Sequence, residues 1–387
     1  MSLDRKLRYG MVGGGPDAFI GNVHRMAASI DGTMELVAGA FSSDPAKSKI
    51  QGSQLGLSPD RSYASFLEMA QAEAARDDGI DFVSIVTPNH MHFPVAKTFL
   101  DAGFHIVCDK PMTNTLEDAE ELCRLVHRHN RVFALTHNYT GYPMVKQARA
   151  MVMDGTIGAV RKVVVEYPQG WLATPLEKTG HKQADWRTDP KRAGAGALGD
   201  IGSHAENLAR YVTGLVLEEL CADVSSFVDG RIIDDDVNML VRYQGGAKGV
   251  LHASQISVGE ENNLNIRVHG ETGSLQWFQE HPNWLYYRSL DGPEQVFKRG
   301  NDYLSETAKR SSRLPSGHPE AFLEAFANIY VNAGRVISAH IAGEEPHPDD
   351  LDFPTVDDGA RGVHFILTAL KSGQRQQWED AKYTPPH

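Results

Sequence analysis

The chain has 387 residues, which at a typical ~150 residues per domain predicts two or three domains. Its hydrophobic share of 41% and charged share of 23% are ordinary for a globular protein in water. The formal net charge of −12, with no long basic stripe, argues against nucleic acid or an anionic membrane as the partner. A small-molecule partner is expected, and no apolar run reaches the ~20 residues of a membrane span.

The polar and sulfur-bearing residues give no metal-binding pattern. Cys108, Cys123 and Cys221 lack metal-ligand spacing, and their odd number favours a reducing compartment, so a cytoplasmic location is predicted. The acidic run 234–236 is interpreted as a solvated turn rather than a cation site. No metal site is predicted.

From residue 7 to about 137, short apolar runs alternate with stretches of helical periodicity. The predicted strands cover 7–12, 34–41, 82–87, 104–109 and 131–136. The predicted helices cover 23–31, 45–56, 92–103 and 115–130, the last with Thr115 as its N-cap. This alternation predicts a doubly wound parallel sheet of the Rossmann type, so residues 1–138 are expected to form an NAD(P)-binding domain.

The second half has a different pattern. A helix near 143–158 leads into a strand near 160–170, and a long loop rich in Gly, Pro and Trp follows to residue 199. Further strands are predicted at 237–244, 247–257, 264–278 and 283–289, and helices at 318–343 and 357–373. Residues 139–387 are therefore expected to form an α+β domain for substrate binding and oligomerisation, with an open, mostly antiparallel sheet and flanking helices. Its uncovered face predicts a homodimer or homotetramer.

Three consecutive glycines stand between the first predicted strand and the first predicted helix. Gly13 allows a tight turn, and Gly15 lets the backbone approach a pyrophosphate, while the helix N-terminus offers free N–H donors to that anion. Gly14 belongs to the same turn. This position of the glycines predicts a dinucleotide site.

The glycine motif can be completed in two ways. Residues 13–18 fit G-x-G-x-x-A, which would bring Asp17 close to a phosphate. Alternatively residues 16–18 are an insertion, and Phe19, Ile20 and Gly21 resume the usual ending. The second interpretation is favoured, and Phe19 and Ile20 are then expected to border the cofactor.

The tip of the second strand bears on the choice between NAD and NADP. The acidic residue that binds an adenosine ribose diol is missing there, and Ser42 and Ser43 follow the strand instead. These hydroxyls, with Lys47 downstream, suit a 2′-phosphate and favour NADP over NAD. Asp44 stands one or two positions late and could still reach the ribose.

Three residues suit the transfer of a proton from a hydroxyl group. Asp200 and His204 are four residues apart at the start of a predicted helix, so both project from one face. Lys110 stands at the end of the strand 104–109. Each also has a structural interpretation: Asp200 as a helix cap, His204 as a structural histidine, and Lys110 as a solvated loop lysine.

These motifs resemble the glucose–fructose oxidoreductase/inositol dehydrogenase/MocA (Gfo/Idh/MocA) family. The similar segments are GMVGGG with FIGNVHR, VTPNHMH, CDKP and WRTDPKRAGAGALGDIGSH, which occur in family order over nearly the whole chain. One position departs from the family, which usually has Glu where Asp109 stands. The substitution keeps the charge and shortens its reach.

The resemblance implies that Lys110, Asp200 and His204 form a catalytic triad below the nicotinamide ring. An imidazole near neutral pKa suits the base that takes a hydroxyl proton, Asp200 would orient it, and Lys110 would stabilise alkoxide charge and touch the nicotinamide ribose. The resemblance also places Pro88, Asn89 and His92 at the nicotinamide half of the cofactor. The residues expected at the substrate are Asn138, Tyr139, Trp171, Trp186 and Arg187, although the last three suit an interface or the core equally well.

The sequence thus predicts an NAD(P)-dependent dehydrogenase or reductase acting on a CH–OH group of a sugar, cyclitol or related polyol. Two alternatives stay open at this point. One is a nucleotide-sensing regulatory protein on the same scaffold. The other is a transhydrogenase or lyase that holds its NAD(P) tightly.

Overall fold

The computed structural model describes residues 3–16 and 18–387, which form two compact units. The first comprises the described residues through Asn138 together with Phe326–Ala360 and Pro385–His387. The second comprises Tyr139–Ala325 and Arg361–Thr384. Residues 139–387 are predicted from the sequence as one domain, whereas two stretches of that range belong to the first unit. The functional division into a nucleotide domain and a substrate domain stays a prediction.

Side-chain packing explains why part of the C-terminal chain belongs to the first unit. The ring of Phe326 lies 4.7 Å from the ring of His24, edge to face, and the Tyr330 ring lies 5.7 Å from it. Ala134 also forms an isolated β-bridge with Thr355. These contacts join residues far apart in the chain, so local sequence patterns could not predict them.

The first unit contains a parallel sheet. Its strands in the described chain are β1 (Leu7–Gly13), β2 (Met34–Ala40), β3 (Phe82–Val86), β4 (His105–Cys108) and β5 (Phe133–Leu135), in the order β2-β1-β3-β4-β5. Every residue of β3 and β4 is buried, as expected for strands covered on both faces. The predicted Rossmann-type sheet is confirmed.

Five helices connect these strands in the described part of the unit. They are α1 (Phe19–Ser29), α2 (Pro45–Gln54), α3 (Phe66–Ala74), α4 (His92–Asp101) and α5 (Leu116–His129). The hydroxyl of Thr115 accepts a hydrogen bond from Asp118 N–H at 3.2 Å, which confirms it as the N-cap of α5. Helix α3, capped by Ser65, was not predicted.

The second unit and the C-terminal chain supply the remaining elements. These are α6 (Pro143–Met153), β6 (Val160–Pro168), α7 (Lys182–Arg187), α8 (Pro190–Ala193), α9 (Ser203–Thr213), β7 (Leu217–Ser225), β8 (Asp236–Tyr243), β9 (Lys248–Ser254), β10 (Asn265–Gly270), β11 (Gly273–Phe278), β12 (Trp284–Ser289), β13 (Gln295–Lys298), α10 (Glu306–Arg310), α11 (Phe322–Ala342), α12 (Val356–Arg375) and β14 (Glu379–Asp380). Among residues 3–16 and 18–387, no helix is long and apolar enough to cross a membrane.

The second unit is built on a large open sheet. Its strands in the described chain run in the order β13-β12-β11-β10-β6-β9-β8-β7-β14, and β6 and β9 pair in parallel within this otherwise antiparallel arrangement. Along β8 the residues Val237, Met239 and Val241 are buried, while Asn238 and Leu240 are exposed. The predicted fold class is confirmed. The stretch 264–278, predicted as one strand, is the hairpin of β10 and β11.

A buried histidine on β4 makes the first unit sensitive to acid. His105 Nδ1 accepts a hydrogen bond from Val132 N–H at 2.9 Å, which requires an unprotonated Nδ1. Its ring also contacts His340 at 4.8 Å. Burial, followed by the positive charges of His340 and Arg131, lowers the pKa of His105 to about 3.

Because the folded pKa of His105 lies below the unfolded value of about 6.5, its stabilising effect is complete above about pH 6.5 and declines as the pH falls toward 3. The variant His105→Asn keeps an acceptor for Val132 and does not titrate. Between pH 7 and pH 5, we expect its free energy of unfolding to fall less steeply than that of the wild type, by up to about 1.4 kcal/mol per pH unit. Urea unfolding at both pH values measures this, and equal slopes would contradict the assignment.

Candidate active site

The turn between β1 and α1 packs so closely against neighbouring backbone that only glycine fits there. Gly13 and Gly14 have φ of 87° and 68°. A Cβ at Gly13 would lie 2.7 Å from the carbonyl oxygen of Val86, and one at Gly15 would lie 2.6 Å from that of Phe41. At Gly13 and Gly15 the backbone therefore carries no side chain where β1, β2 and β3 end. A phosphate group can approach such a backbone closely.

Gly21, in the first turns of α1, packs directly on this turn. A Cβ there would lie 2.3 Å from the Cα of Gly14. This close helix–strand contact suits the last glycine of a dinucleotide motif and supports the interpretation that residues 16–18 are inserted. In the competing interpretation Asp17 would come close to a phosphate, and this residue lies outside the described residues. In the described chain α1 has no side-chain cap, and Phe19 at its start is 68% exposed.

The tip of β2 carries the residues predicted to choose between the two dinucleotides. Ser42 is half-buried, and Ser43 and Lys47 are exposed. Asp44 Oδ1 accepts hydrogen bonds from the N–H groups of Ala46 at 2.9 Å and Lys47 at 3.2 Å, so this carboxylate caps α2. A carboxylate and an ammonium group are thus both present at this tip.

The carboxyl ends of β3 and β5 contain polar groups suited to a ligand. Pro88 and the buried Asn89 follow β3. In the described chain, the Oγ1 of Thr87 and the Nδ2 of Asn138 are buried without a hydrogen-bond partner. Buried polar groups of this kind are normally paired, so they fit the amide and ribose groups of a nicotinamide nucleotide. Together with the glycine cradle they make the first unit suitable for NAD(P).

Both ring nitrogens of His92 lie close to backbone carbonyl oxygens. Nδ1 lies 2.8 Å from the carbonyl oxygen of Pro111, and Nε2 lies 2.9 Å from that of Thr87. Burial lowers the pKa of His92, against the opposing effect of the Asp109 charge. The ring therefore ties the end of β3 to the segment after Lys110, and any contact with a cofactor is left to its faces.

Lys110 lies where the chain leaves β4. It is half-buried, and its peptide bond to Pro111 is cis. Its backbone N–H donates to Asp109 Oδ1 at 3.0 Å. Lys110 thus belongs to the same strand ends as the nucleotide residues of the first unit.

In the second unit, Asp200 lies in a π-helical turn (Leu198–Gly202) that leads into α9, where His204 is the second residue. Asp200 Oδ2 accepts hydrogen bonds from Gln255 Nε2 at 2.8 Å and from Arg187 Nε at 3.3 Å. The N-cap position of α9 is Gly202, not Asp200. Asp200 is therefore held by side chains from α7 and the end of β9, and its interpretation as a helix cap is not supported.

Asp234 shapes the backbone that carries Asp200. Its two carboxylate oxygens accept hydrogen bonds from the N–H groups of Gly196 and Leu198, each at 2.7 Å. Asp235 is also buried and accepts from Arg231 Nη1 at 3.1 Å. The interpretation of residues 234–236 as a solvated turn was wrong, because Asp234 and Asp235 are buried and hydrogen-bonded, Asp234 by N–H groups distant in sequence and Asp235 by Arg231 four residues before it.

His204 is buried against two tyrosines. Its ring lies 4.7 Å from the ring of Tyr139, edge to face, and 6.2 Å from that of Tyr167. The two phenol hydroxyls are hydrogen-bonded to each other, and burial raises the pKa of both, so they stay protonated. This packing fixes the plane of the imidazole.

A chain of hydrogen bonds runs from these tyrosines to Trp171. Asn262 Oδ1 accepts from the Tyr167 hydroxyl at 2.8 Å and from Gln169 Nε2 at 2.7 Å. Gln169 Oε1 in turn accepts from Trp171 Nε1 at 3.0 Å, and Asn262 Nδ2 donates to the Tyr139 hydroxyl at 3.3 Å. Two predicted substrate residues, Tyr139 and Trp171, are thereby linked in one polar network.

Trp186 and Arg187 lie on α7. The Arg187 guanidinium lies 4.2 Å from the centre of the Trp186 ring and also bonds Gln183 and Asp200. Sequence reasoning found these two residues but missed Gln255 and Asn262. Gln255 directly follows the buried strand β9, a position that could have identified it.

Two family models match this chain. Residues 7–137 match the oxidoreductase family with an NAD-binding Rossmann fold, and residues 145–276 match the GFO/IDH/MocA C-terminal domain. The chain belongs to the Gfo/Idh/MocA oxidoreductase family. The resemblance seen in its motifs is confirmed.

Solved and characterised relatives agree with this assignment. The structure is similar to an oxidoreductase from Sinorhizobium meliloti, with 47% identity, 97% and 99% coverage of the two chains and a TM-score of 0.89. It is also similar to an inositol dehydrogenase homolog from Azotobacter vinelandii complexed with NAD+, with 36% identity, 98% coverage of each chain and a TM-score of 0.93. A levoglucosan dehydrogenase from Pseudarthrobacter phenanthrenivorans is 28% identical over 70% of this chain and 73% of its own length. Relatives in this family are dehydrogenases and reductases of sugars and polyols, and this chain is an oxidoreductase.

Asp234 holds the start of the segment that carries Asp200 through its contacts with Gly196 and Leu198, and a substitution at Gly196 tests this. A Cβ at Gly196 would lie 1.8 Å from the carbonyl oxygen of Asp234, a backbone atom that cannot rotate away. We expect Gly196→Ala to lower the free energy of unfolding by roughly 2 kcal/mol or more. The control is Gly362→Ala in α12, where no atom lies within 4 Å of the new methyl group. Denaturant unfolding compares the stabilities of the two variants, and a Gly196→Ala protein as stable as the control would refute the close contact of Gly196 with Asp234.

Proposed function

We propose that this oxidoreductase transfers hydride between a nicotinamide dinucleotide and a secondary alcohol or carbonyl of a sugar, cyclitol or related polyol. The observation that carries the proposal is the arrangement at the start of α9. Asp200 and His204 are one turn apart, the carboxylate is held by Gln255 and Arg187, and the imidazole is packed against Tyr139. An ion and a base fixed in this way suit proton transfer at a hydroxyl group.

In this proposal His204 takes the hydroxyl proton as the alcohol becomes a carbonyl, and returns it in the reverse reaction. Asp200 orients the imidazole and stabilises its charged form. Lys110 joins them as the third member of the triad and stabilises the alkoxide charge that develops on the substrate oxygen. The nicotinamide, when bound, supplies the acceptor or donor of the hydride.

The side chains of the second unit support a ring-shaped polyol as substrate. Tyr139 and Trp171 offer aromatic surfaces, and Asn262 and Gln169 connect them through amide groups that can also bond hydroxyls. Relatives named for inositol and levoglucosan act on molecules of this class. We therefore propose an inositol, an aldose or an anhydrosugar as the substrate class.

For the cofactor we propose NADP, on the hydroxyls of Ser42 and Ser43 and the ammonium of Lys47. NAD is a second candidate, because Asp44 places a carboxylate at the same strand tip and the Azotobacter vinelandii relative is complexed with NAD+. A higher kcat/KM with NADP than with NAD supports the first choice. The reverse order overturns it.

We propose a cytoplasmic homodimer or homotetramer. In the described chain, Cys108, Cys123 and Cys221 form no disulfide with one another, which suits a reducing compartment. On the outer face of the large sheet, Leu240, Val250 and Val164 are neighbours in register on three adjacent strands. An apolar row of this kind favours burial against a second copy.

The triad is tested by replacing its members one at a time. We expect Lys110→Ala and His204→Ala each to lower kcat by at least about 100-fold, because each removes a group that acts on the reacting atoms. Nucleotide affinity should change little. The assay follows the absorbance of reduced nicotinamide with NAD and NADP against inositols, aldoses and anhydrosugars, and calorimetry measures nucleotide binding.

Unchanged turnover in both variants would refute these roles. Nucleotide binding without turnover on any polyol would contradict the proposed activity and favour a nucleotide-sensing protein. A dinucleotide that copurifies and stays bound through dialysis would instead favour a transhydrogenase, provided that the protein then exchanges hydride between two substrates.

The oligomer is tested on the outer sheet face. Leu240 is 54% exposed, so Leu240→Asp should not disturb the fold but should prevent an apolar contact with another copy. We expect the wild type to have the mass of a dimer or tetramer by light scattering and the variant to have that of a monomer. Val258→Asp, at an 85% exposed position, is the control. A monomeric wild type or an unchanged variant contradicts the assignment.

A further inference from the structure

Asp109 lies between the buried strand β4 and Lys110. Its Oδ1 atom accepts hydrogen bonds from Thr136 Oγ1 at 2.9 Å and from Lys110 N–H at 3.0 Å. Its own N–H donates to the Ile85 carbonyl, and Thr136 N–H donates to that of Cys108, both at 2.9 Å. The carboxylate is thereby fixed where β3, β4 and β5 end and where Lys110 leaves the sheet.

His24 brings an imidazole from α1 to the same carboxylate. The ring is fully buried, and its Nε2 lies 3.9 Å from Asp109 Oδ1. Its Nδ1 lies 2.7 Å from the Tyr330 hydroxyl and 3.3 Å from Ser84 Oγ, and these two hydroxyls are 2.8 Å apart. Among the described residues Nε2 has no hydrogen-bond partner, so this buried nitrogen faces only the charge of Asp109.

The cluster of His24, Ser84 and Tyr330 favours one tautomer of the imidazole. Burial raises the pKa of Tyr330 well above its usual range, so its hydroxyl keeps a proton to donate to Nδ1. The proton of a neutral ring then sits on Nε2 and points toward Asp109. The other tautomer would direct the lone pair of the buried Nε2 at a carboxylate, which is electrostatically unfavourable.

The carboxylate stays ionised despite its burial. Burial alone would raise the pKa of Asp109, but the interaction with His24 and the charges of Lys110 and His92 hold it well below its usual range. Cys108 and Tyr330 also face this charge, and burial and the carboxylate together raise the pKa of Cys108. Lys110 therefore has a permanent negative charge as its neighbour in sequence.

A longer acidic side chain than that of Asp109 would also fit this arrangement. The 3.9 Å between Nε2 and Oδ1 exceeds an ordinary N–H···O distance by about 1 Å. A glutamate at this position has one more methylene, which extends the carboxylate by about 1.5 Å. A glutamate could therefore meet His24 directly, so the site accepts either acid.

We propose that Asp109 is a positioning residue for Lys110, held in place by the buried cluster of His24, Ser84 and Tyr330. It touches neither substrate nor cofactor in this proposal. It acts by fixing the strand end from which Lys110 projects and by placing a negative charge beside this residue. The inference deepens the proposed function, because it presupposes the role of Lys110.

The kinetic test compares Asp109→Asn, which removes the charge and keeps the shape, with Asp109→Glu, which restores the charge. For Asp109→Asn we expect kcat to fall at least about tenfold while the substrate KM and nucleotide affinity change less than about threefold. Asp109→Glu should recover most of the wild-type kcat. Asp101→Asn, which removes an exposed carboxylate of the same unit, is the control.

A second measurement does not depend on turnover. Nitrogen NMR of the His24 ring in the folded protein is expected to show Nε2 protonated and Nδ1 unprotonated, and Tyr330→Phe should weaken this preference. Protonation of Nδ1 alone in the wild type would overturn the proposal. So would an Asp109→Asn protein with wild-type kcat, or one that loses nucleotide binding in proportion to kcat. A wild type that turns over no polyol contradicts the proposed function, whereas the NMR result tests the contact of His24 with Asp109 independently of turnover.

Discussion

Asp234 accepts hydrogen bonds from the N–H groups of Gly196 and Leu198, and the proposed chemistry of the second unit depends on this contact. The short segment that follows contains Asp200 and leads into the helix that carries His204. A flexible segment here would leave both side chains to sample many directions, whereas two buried hydrogen bonds fix where the turn begins. Removing their acceptor would leave buried N–H groups unpaired, which costs more than the bonds themselves contribute.

The same principle applies in the first unit. Asp109 is largely removed from solvent, with its side chain 16% exposed, yet it keeps its charge because Thr136, a backbone N–H and the charges around it replace much of the water it has lost. Asp200 is likewise surrounded by donors, from Gln255 and Arg187. In each case a carboxylate is held next to a residue that we propose to be reactive. A preorganised charge of this kind needs no reorientation during the reaction.

The two units supply different parts of the proposed enzyme. The first has a bare backbone at Gly13 and Gly15 and unpaired buried groups at Thr87 and Asn138, which fit a dinucleotide. The second has aromatic rings and amides linked through Asn262, which fit a polyol. Family membership explains why both occur in one chain, and the identity of the substrate depends on the second set.

Sequence alone was sufficient for the parts of the fold and site that local patterns encode. Buried parallel strands are continuously apolar, and the glycines stand where a strand turns into a helix, so the parallel sheet and its phosphate-binding turn could be predicted. The motifs around Lys110, Asp200 and His204 identified the family for the same reason. The pattern of α3 was also present in the sequence and was overlooked.

Tertiary structure alone decided which distant groups surround these residues. Nothing in the acidic run 234–236 indicates that Asp234 binds Gly196, and nothing near residue 330 indicates that Tyr330 bonds His24. Long-range packing likewise assigned Phe326–Ala360 to the first unit. Spacing along the chain reports which face of an element a side chain occupies, but a hydrogen-bond partner depends on how elements far apart in sequence pack together.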